Sequence, residues 1–143
     1  MARSTLLVGL VLGLVVAVGC EPASSLTPGN QRVQVVATAA TVSVNPSTVH
    51  PGQVDFILEL PNGQSLVFVR SATGGALTDA DLSRLARNVD AGGLASEVMD
   101  VSCCGNVFHE TLAAGKYAFI VLDPRRGQPG LPPAAMTVVN VQG

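Results

Sequence analysis

The sequence predicts an all-β domain, a Greek-key antiparallel β-sandwich with one short inserted helix. Runs of about six to eight β-branched or alternating residues recur along the chain, and turn signals built on Pro, Gly and Asn separate them. A single helical pattern lies among these runs, and helices do not alternate with strands. That arrangement favours a sandwich over a parallel α/β sheet.

The strand pattern is clearest at residues 53–60, QVDFILEL. Val54, Phe56, Leu58 and Leu60 fall on one face and are all apolar, whereas the other face is mostly polar, as expected for a strand with one buried face. The other predicted strands cover residues 33–44, 65–70, 97–101, 106–112, 117–122 and 136–141.

The helix is predicted to begin after Thr78. This residue is a good N-cap, Asp81 is its capping-box partner, and apolar residues then repeat at helical spacing up to Asn88. Asp79 and Asp81 form a carboxylate pair in the first turn. Their charges interact well with the helix dipole, so the pair needs no catalytic explanation.

Residues 1–19 have the pattern of a secretory signal peptide. Arg3 precedes an apolar run at residues 6–19, which is shorter than the ~20 residues of a membrane-spanning helix. The end of the run, AVGC at residues 17–20, resembles the lipobox of bacterial lipoproteins. This resemblance implies that Cys20 carries diacylglycerol and acyl chains such as palmitate, and that the protein is extracytoplasmic and lipid-anchored. In a Gram-negative cell, Glu21 in place of Asp favours the outer membrane.

The mature chain is predicted to consist of a flexible tether at residues 20–31 and one folded domain at residues 32–143. The tether is rich in Pro, Ser and Gly. The whole chain has a net charge of −2 and five aromatic residues, without Trp, which argues against a nucleic-acid partner. The expected partners are the membrane, through the anchor, and an unknown envelope protein or small ligand.

Residues 44–69, 112–124 and 136–141 together resemble a cupredoxin. The shared features are a Pro-Ser-x-Val turn before a strand, an Asn-Gly turn after it, and a Gly-x-Tyr strand that leads to the copper-binding loop. The resemblance implies a cupredoxin-like fold. It also points to the type 1 copper site of the family, which uses two His, one Cys and often an axial Met.

The copper ligands of that family are missing from the matching positions. Residues 64–67, QSLV, stand where the first His is expected, and Val121 and Leu122 stand where the Cys is expected. The loop at residues 124–133 contains no His. Met136 lies near the axial position, but a single Met at the start of a strand is more typical of a core. We therefore expect no cofactor, with copper as the alternative.

Two adjacent cysteines, Cys103 and Cys104, lie in the stretch SCCGNVFH. Four states are open to them: a vicinal disulfide, reduced thiols, an intermolecular disulfide, or a metal site. Thiols outside the cytoplasm tend to be oxidised. Adjacent Cα atoms lie about 3.8 Å apart, closer than in ordinary disulfides, so a vicinal bridge would be strained. A framework role ranks first, a redox role second and a metal role third.

A metal site at the cysteine pair would recruit His109 and His50. The alternative for His109 is an ordinary strand residue, and for His50 an exposed turn residue before Pro51. The sequence contains no nucleophile elbow, Walker loop, zinc-protease helix or CxxC motif. We therefore expect that the protein is not an enzyme, and that its domain is a binding or structural module.

Overall fold

The structure is a computed structural model that describes residues 26–88, 96–101, 106–122 and 132–143, with the backbone alone at 96–99. These residues form nine strands and one helix in two stacked sheets. In chain order the elements are β1 (Gln31–Ala37), β2 (Val42–Asn45), β3 (Thr48–Val49), β4 (Gly52–Glu59), β5 (Leu66–Ser71), α1 (Asp79–Arg87), β6 (Ser96–Asp100), β7 (Val107–Leu112), β8 (Gly115–Val121) and β9 (Ala135–Val141). The predicted β-sandwich with one short helix is confirmed.

Both sheets are mixed, whereas the sequence predicted antiparallel pairing throughout. Sheet A has the order β2-β1-β4-β7, and sheet B has the order β3-β9-β8-β5-β6. Strand β1 is parallel to β4, and β3 is parallel to β9. The cause is that the chain leaves sheet A after β2 and joins sheet B at β3, so β1 and β4 become neighbours without a hairpin between them. The arrangement is consistent with a cupredoxin-like sandwich.

The apolar run at residues 33–44 is two strands and not one. Thr38 interrupts it, because its hydroxyl accepts hydrogen bonds from the backbone N–H groups of Ala40 (3.3 Å) and Thr41 (3.1 Å). Local bonds of this kind give the backbone an alternative to the sheet ladder. The chain therefore turns, and β1 pairs with β2 in the register Ala37 with Val42.

The space between the sheets is filled by all five aromatic side chains. Neighbouring ring centroids are 5.0–5.9 Å apart. The rings belong to Phe56, Phe68, Phe108, Tyr117 and Phe119, and each is at most 2% exposed. The Tyr117 hydroxyl donates to the carbonyl of Ala113 (3.0 Å) and accepts from its N–H (3.2 Å), so this buried polar group is satisfied. Burial raises the pKa of Tyr117.

Helix α1 covers the outer face of sheet B. Leu82 and Leu85 pack there against apolar residues of β5 and β8, such as Val69 and Ile120. These two strands are therefore buried on both faces, which explains their continuous apolar sequences. The helix begins as predicted, since the Thr78 hydroxyl accepts from Asp81 N and the Asp81 carboxylate accepts from Thr78 N.

Several segments meet at the end of the sandwich where residues 60–65 connect β4 to β5, which we call the β4–β5 end. Val101, just after β6, donates its N–H to the carbonyl of Leu66 (3.0 Å), and the carbonyl of Asn106, just before β7, accepts from Leu58 N (2.8 Å). The chain therefore leaves sheet B and enters sheet A at this end.

Candidate functional site

The positions expected for the first copper histidine are a turn and the start of β5. Gln64 lies in the turn, where its N–H donates to the carbonyl of Pro61 (3.1 Å). Leu66 and Val67 belong to β5 and are 0% and 3% exposed. Leu66 faces the main core and Val67 faces the helix side of sheet B, so neither offers a metal-binding atom.

The position expected for the copper cysteine is equally apolar. Val121 is fully buried and lies between Leu66 and Ala135 in the sheet B register. Met136 packs with the residues under helix α1, on the other face of the sheet from Val121. Met136 is therefore a packing residue on the helix side and does not approach Val121.

The three cysteines, Cys20, Cys103 and Cys104, lie outside the described residues, as does most of the loop predicted to lack the second histidine, at residues 123–131. The described neighbours of the cysteine pair, Val101 and Asn106, both lie at the β4–β5 end.

The two histidines occupy different parts of the sandwich. His50 is exposed in the turn before β4, where its Nδ1 lies 3.2 Å from the carbonyl of Gln142. His109 lies within β7, directly opposite Asp55 of β4. The two histidine rings therefore have different partners, the Gln142 carbonyl for His50 and the Asp55 carboxylate for His109.

Asp55 is the centre of a polar cluster that the sequence analysis missed. Its side chain is on the outer face of sheet A, yet it is 0% exposed. One carboxylate oxygen accepts from Asn30 Nδ2 (2.9 Å) and His109 Nδ1 (2.7 Å), and the other accepts from Thr27 N (2.8 Å). Three separate chain segments therefore meet at one buried carboxylate.

The covering segment is the turn TPGN at residues 27–30. Asn30 N donates to the carbonyl of Thr27 (3.2 Å), and Gly29 has a φ of 85°, which favours glycine. The turn lies over Asp55 and excludes water from it. Residues 27–30 fall within the predicted flexible tether, and the structure shows them held against the sheet.

The hydrogen bonds determine the charge state of the cluster. Burial raises the pKa of Asp55, but the bonds from Asn30, His109 and Thr27 lower it by more, so the net shift is downward. An ionised carboxylate only accepts hydrogen bonds, so the Nδ1 of His109 must be the donor. In the neutral ring, Nε2 is then the acceptor, oriented by Asp55.

A shallow polar pocket of about 400 Å³ lies beside this cluster, lined by Thr27, Asn30, Gln53, His109, Glu110 and Thr111. Glu110 forms an ion pair with Arg70 across the sandwich. The hydroxyl, amide and imidazole groups of the lining suit hydrogen bonding to a small polar ligand or to a polar surface.

The described ranges contain neither a cluster of possible metal ligands nor a helix that could span a membrane. Among those residues, no three His, Cys, Asp or Glu side chains are grouped as ligands for a metal ion. No helix in the same part of the chain has the length and hydrophobicity needed to cross a membrane.

No family model matches the sequence, and no curated protein matches it. Among solved structures, the chain is similar to auracyanin B, with 17% sequence identity and a TM-score of 0.37. The similarity covers 87% of this chain and 97% of that chain.

Proposed function

We propose that this protein is a lipoprotein of the bacterial envelope, tethered through Cys20, whose cupredoxin-like sandwich is a non-enzymatic binding or structural module without type 1 copper. Its partners are the membrane, through the acyl chains, and an envelope protein or small ligand. In a Gram-negative cell the membrane is the outer one.

The observation that carries the copper-free proposal is the pair Leu66 and Val121. These two residues are buried register neighbours at one end of sheet B, and both stand at positions where the cupredoxin resemblance expects ligands. Copper of the type 1 kind needs imidazole nitrogens and a thiolate, and aliphatic side chains cannot replace them. Met136 lies on the helix side of the same sheet.

The tethering proposal rests on the AVGC sequence at residues 17–20. Its test is metabolic labelling with a radioactive fatty acid, followed by membrane fractionation. Cys20→Ala should abolish the label and release the protein from the membrane. Cys104→Ala is the matched control, which should keep both label and membrane association. Equal membrane retention of the Cys20→Ala variant would contradict the proposal.

A second candidate function is metal binding or electron transfer through non-standard ligands. It is favoured by the place of Val101 and Asn106, the described neighbours of Cys103 and Cys104, at the β4–β5 end. His109 donates from Nδ1 to Asp55, which leaves Nε2 as the ring nitrogen that could bind a metal.

Metal analysis of the purified protein separates the two functions. A stoichiometric metal that is lost in the double variant Cys103→Ala/Cys104→Ala would support the second candidate. Loss in His109→Ala, with retention in His50→Ala, would identify His109 as a ligand. Absence of bound metal in the wild-type protein would favour the binding module.

A further inference from the structure

The turn at residues 27–30 determines where the lipid tether joins the folded domain. Thr27 N and Asn30 Nδ2 both donate to Asp55, which is fully buried. Hydrogen bonds to a buried charged group are among the stronger ones in proteins. The domain therefore begins at Thr27, on the outer face of sheet A, and not at the first residue of β1.

This attachment shortens the tether. Thr27 is seven positions after Cys20 along the chain, whereas Gln31 is eleven positions after it. At no more than about 3.6 Å per residue, the reach of the tether falls from about 40 Å to about 25 Å. A strand as long as β4, which has eight residues, spans about 26 Å. The tether is thus no longer than the domain that it holds.

We propose that the outer face of sheet A around Asp55 is the membrane-facing surface of the protein, and that the β4–β5 end points away from the membrane. This inference rests on the proposed acylation of Cys20. Thr27 stays within about 25 Å of the lipid. The β4–β5 end begins beyond Glu59. It can lie ~20 Å farther from the lipid than Thr27 does, because β4 extends away from Asp55 in that direction.

The chemistry of this surface suits lipid headgroups. The pocket beside Asp55 is lined by polar groups, and all five aromatic side chains are in the core, so the surface has hydrogen-bonding groups but no aromatic residue to insert into the bilayer. Arg32, which is exposed, is the register neighbour of Asp55 on β1. The Arg32 cation reaches solvent and is attracted to anionic lipids, whereas the neighbouring Asp55 carboxylate is buried under the turn at residues 27–30.

The test measures the depth of two exposed positions in the acylated, full-length protein. A fluorophore is attached through a genetically encoded reactive residue at Gln53, beside the pocket, or at Asn62, at the β4–β5 end. The protein is bound to vesicles of phosphatidylethanolamine and phosphatidylglycerol that contain a headgroup-labelled quencher lipid. We expect quenching at position 53 to exceed quenching at position 62 by about twofold or more, given the difference in reach.

A second variant tests whether the turn at residues 27–30 determines the orientation of the domain on the membrane. Asn30→Ala removes one of the three bonds to Asp55, which should free the turn and lengthen the tether, so the difference in quenching between positions 53 and 62 should decrease. Amide exchange at Thr27 checks that the turn has opened while the remaining strands stay protected.

The amount of protein that sediments with the vesicles distinguishes the two proposals. Protein that does not bind vesicles contradicts the lipid tether, and this inference with it. Bound protein with equal quenching at both positions, or stronger quenching at position 62, overturns the orientation alone.

Discussion

Asp55→Asn is the substitution that tests the polar cluster most sharply. Asparagine has the same shape as aspartate, so packing is unchanged, but it replaces one acceptor oxygen with an NH₂ donor. If the amide oxygen keeps the bonds from Asn30 and His109, the NH₂ group faces the N–H of Thr27, and two donors meet at a buried position.

The size of the effect follows from the three bonds. A hydrogen bond to a charged group contributes about 1.5–3 kcal/mol, and an unpaired buried donor costs about 1–3 kcal/mol. Asparagine loses one bond, weakens the other two by removing the charge, and adds an unpaired donor. We expect a loss of about 2–4 kcal/mol in the free energy of unfolding, a large part of the 5–15 kcal/mol that is usual for a domain.

The pH dependence gives a second measure. Because the pKa of Asp55 is lower in the folded protein than in the unfolded chain, the carboxylate contributes stability above the unfolded value of about 3.9, and this contribution is lost as the pH falls through the folded pKa. Asparagine does not titrate. The difference in stability between wild type and variant should therefore be full above about pH 5 and shrink in stronger acid.

Urea unfolding followed by circular dichroism, repeated from pH 3 to pH 7, is the assay, since the midpoint and slope give the free energy directly. Asp79→Asn is the control, because the Asp79 side chain is 84% exposed, and its effect should stay under about 1 kcal/mol. A loss below about 0.5 kcal/mol for Asp55→Asn, or a difference that does not change with pH, would refute the reasoning.

Three further predictions concern the helix, one turn and the cysteine pair. Thr78→Ala removes the N-cap bond and should cost about 1 kcal/mol in urea unfolding. Gly115→Ala should cost about 2–4 kcal/mol, because Gly115 has a φ of 135° and a Cβ there would lie 2.2 Å from the Cβ of Ala76; an unchanged midpoint would contradict this packing. Intact mass spectrometry of the unreduced protein should find Cys103 and Cys104 two hydrogens lighter than the dithiol and resistant to alkylation, whereas two freely alkylated thiols would exclude the vicinal bridge.

The sandwich and its helix could be predicted because their signals are local. The alternation at residues 53–60 determines which face of β4 is buried, and the Thr78 and Asp81 side chains specify the helix start. The parallel pairs were missed because pairing between distant strands depends on the crossing from β2 to β3, which leaves no pattern in either strand.

The cluster at Asp55 could not be predicted from alternation alone. Asp55 falls on the polar side of its strand, so the pattern assigns it to the solvent. Its burial depends on a turn 25 or more residues earlier and on His109, 54 residues later. One signal was available: Asp is disfavoured within strands, and the TPGN turn lies directly before β1.

The absorption spectrum of the protein during titration with copper(II) tests the central claim most directly, because a type 1 site gives an intense visible band from charge transfer between thiolate and copper. Our account predicts that no such band appears as copper is added, since the buried Leu66 and Val121 occupy places expected for ligands. An intense blue complex that saturates at one copper per protein would contradict the account.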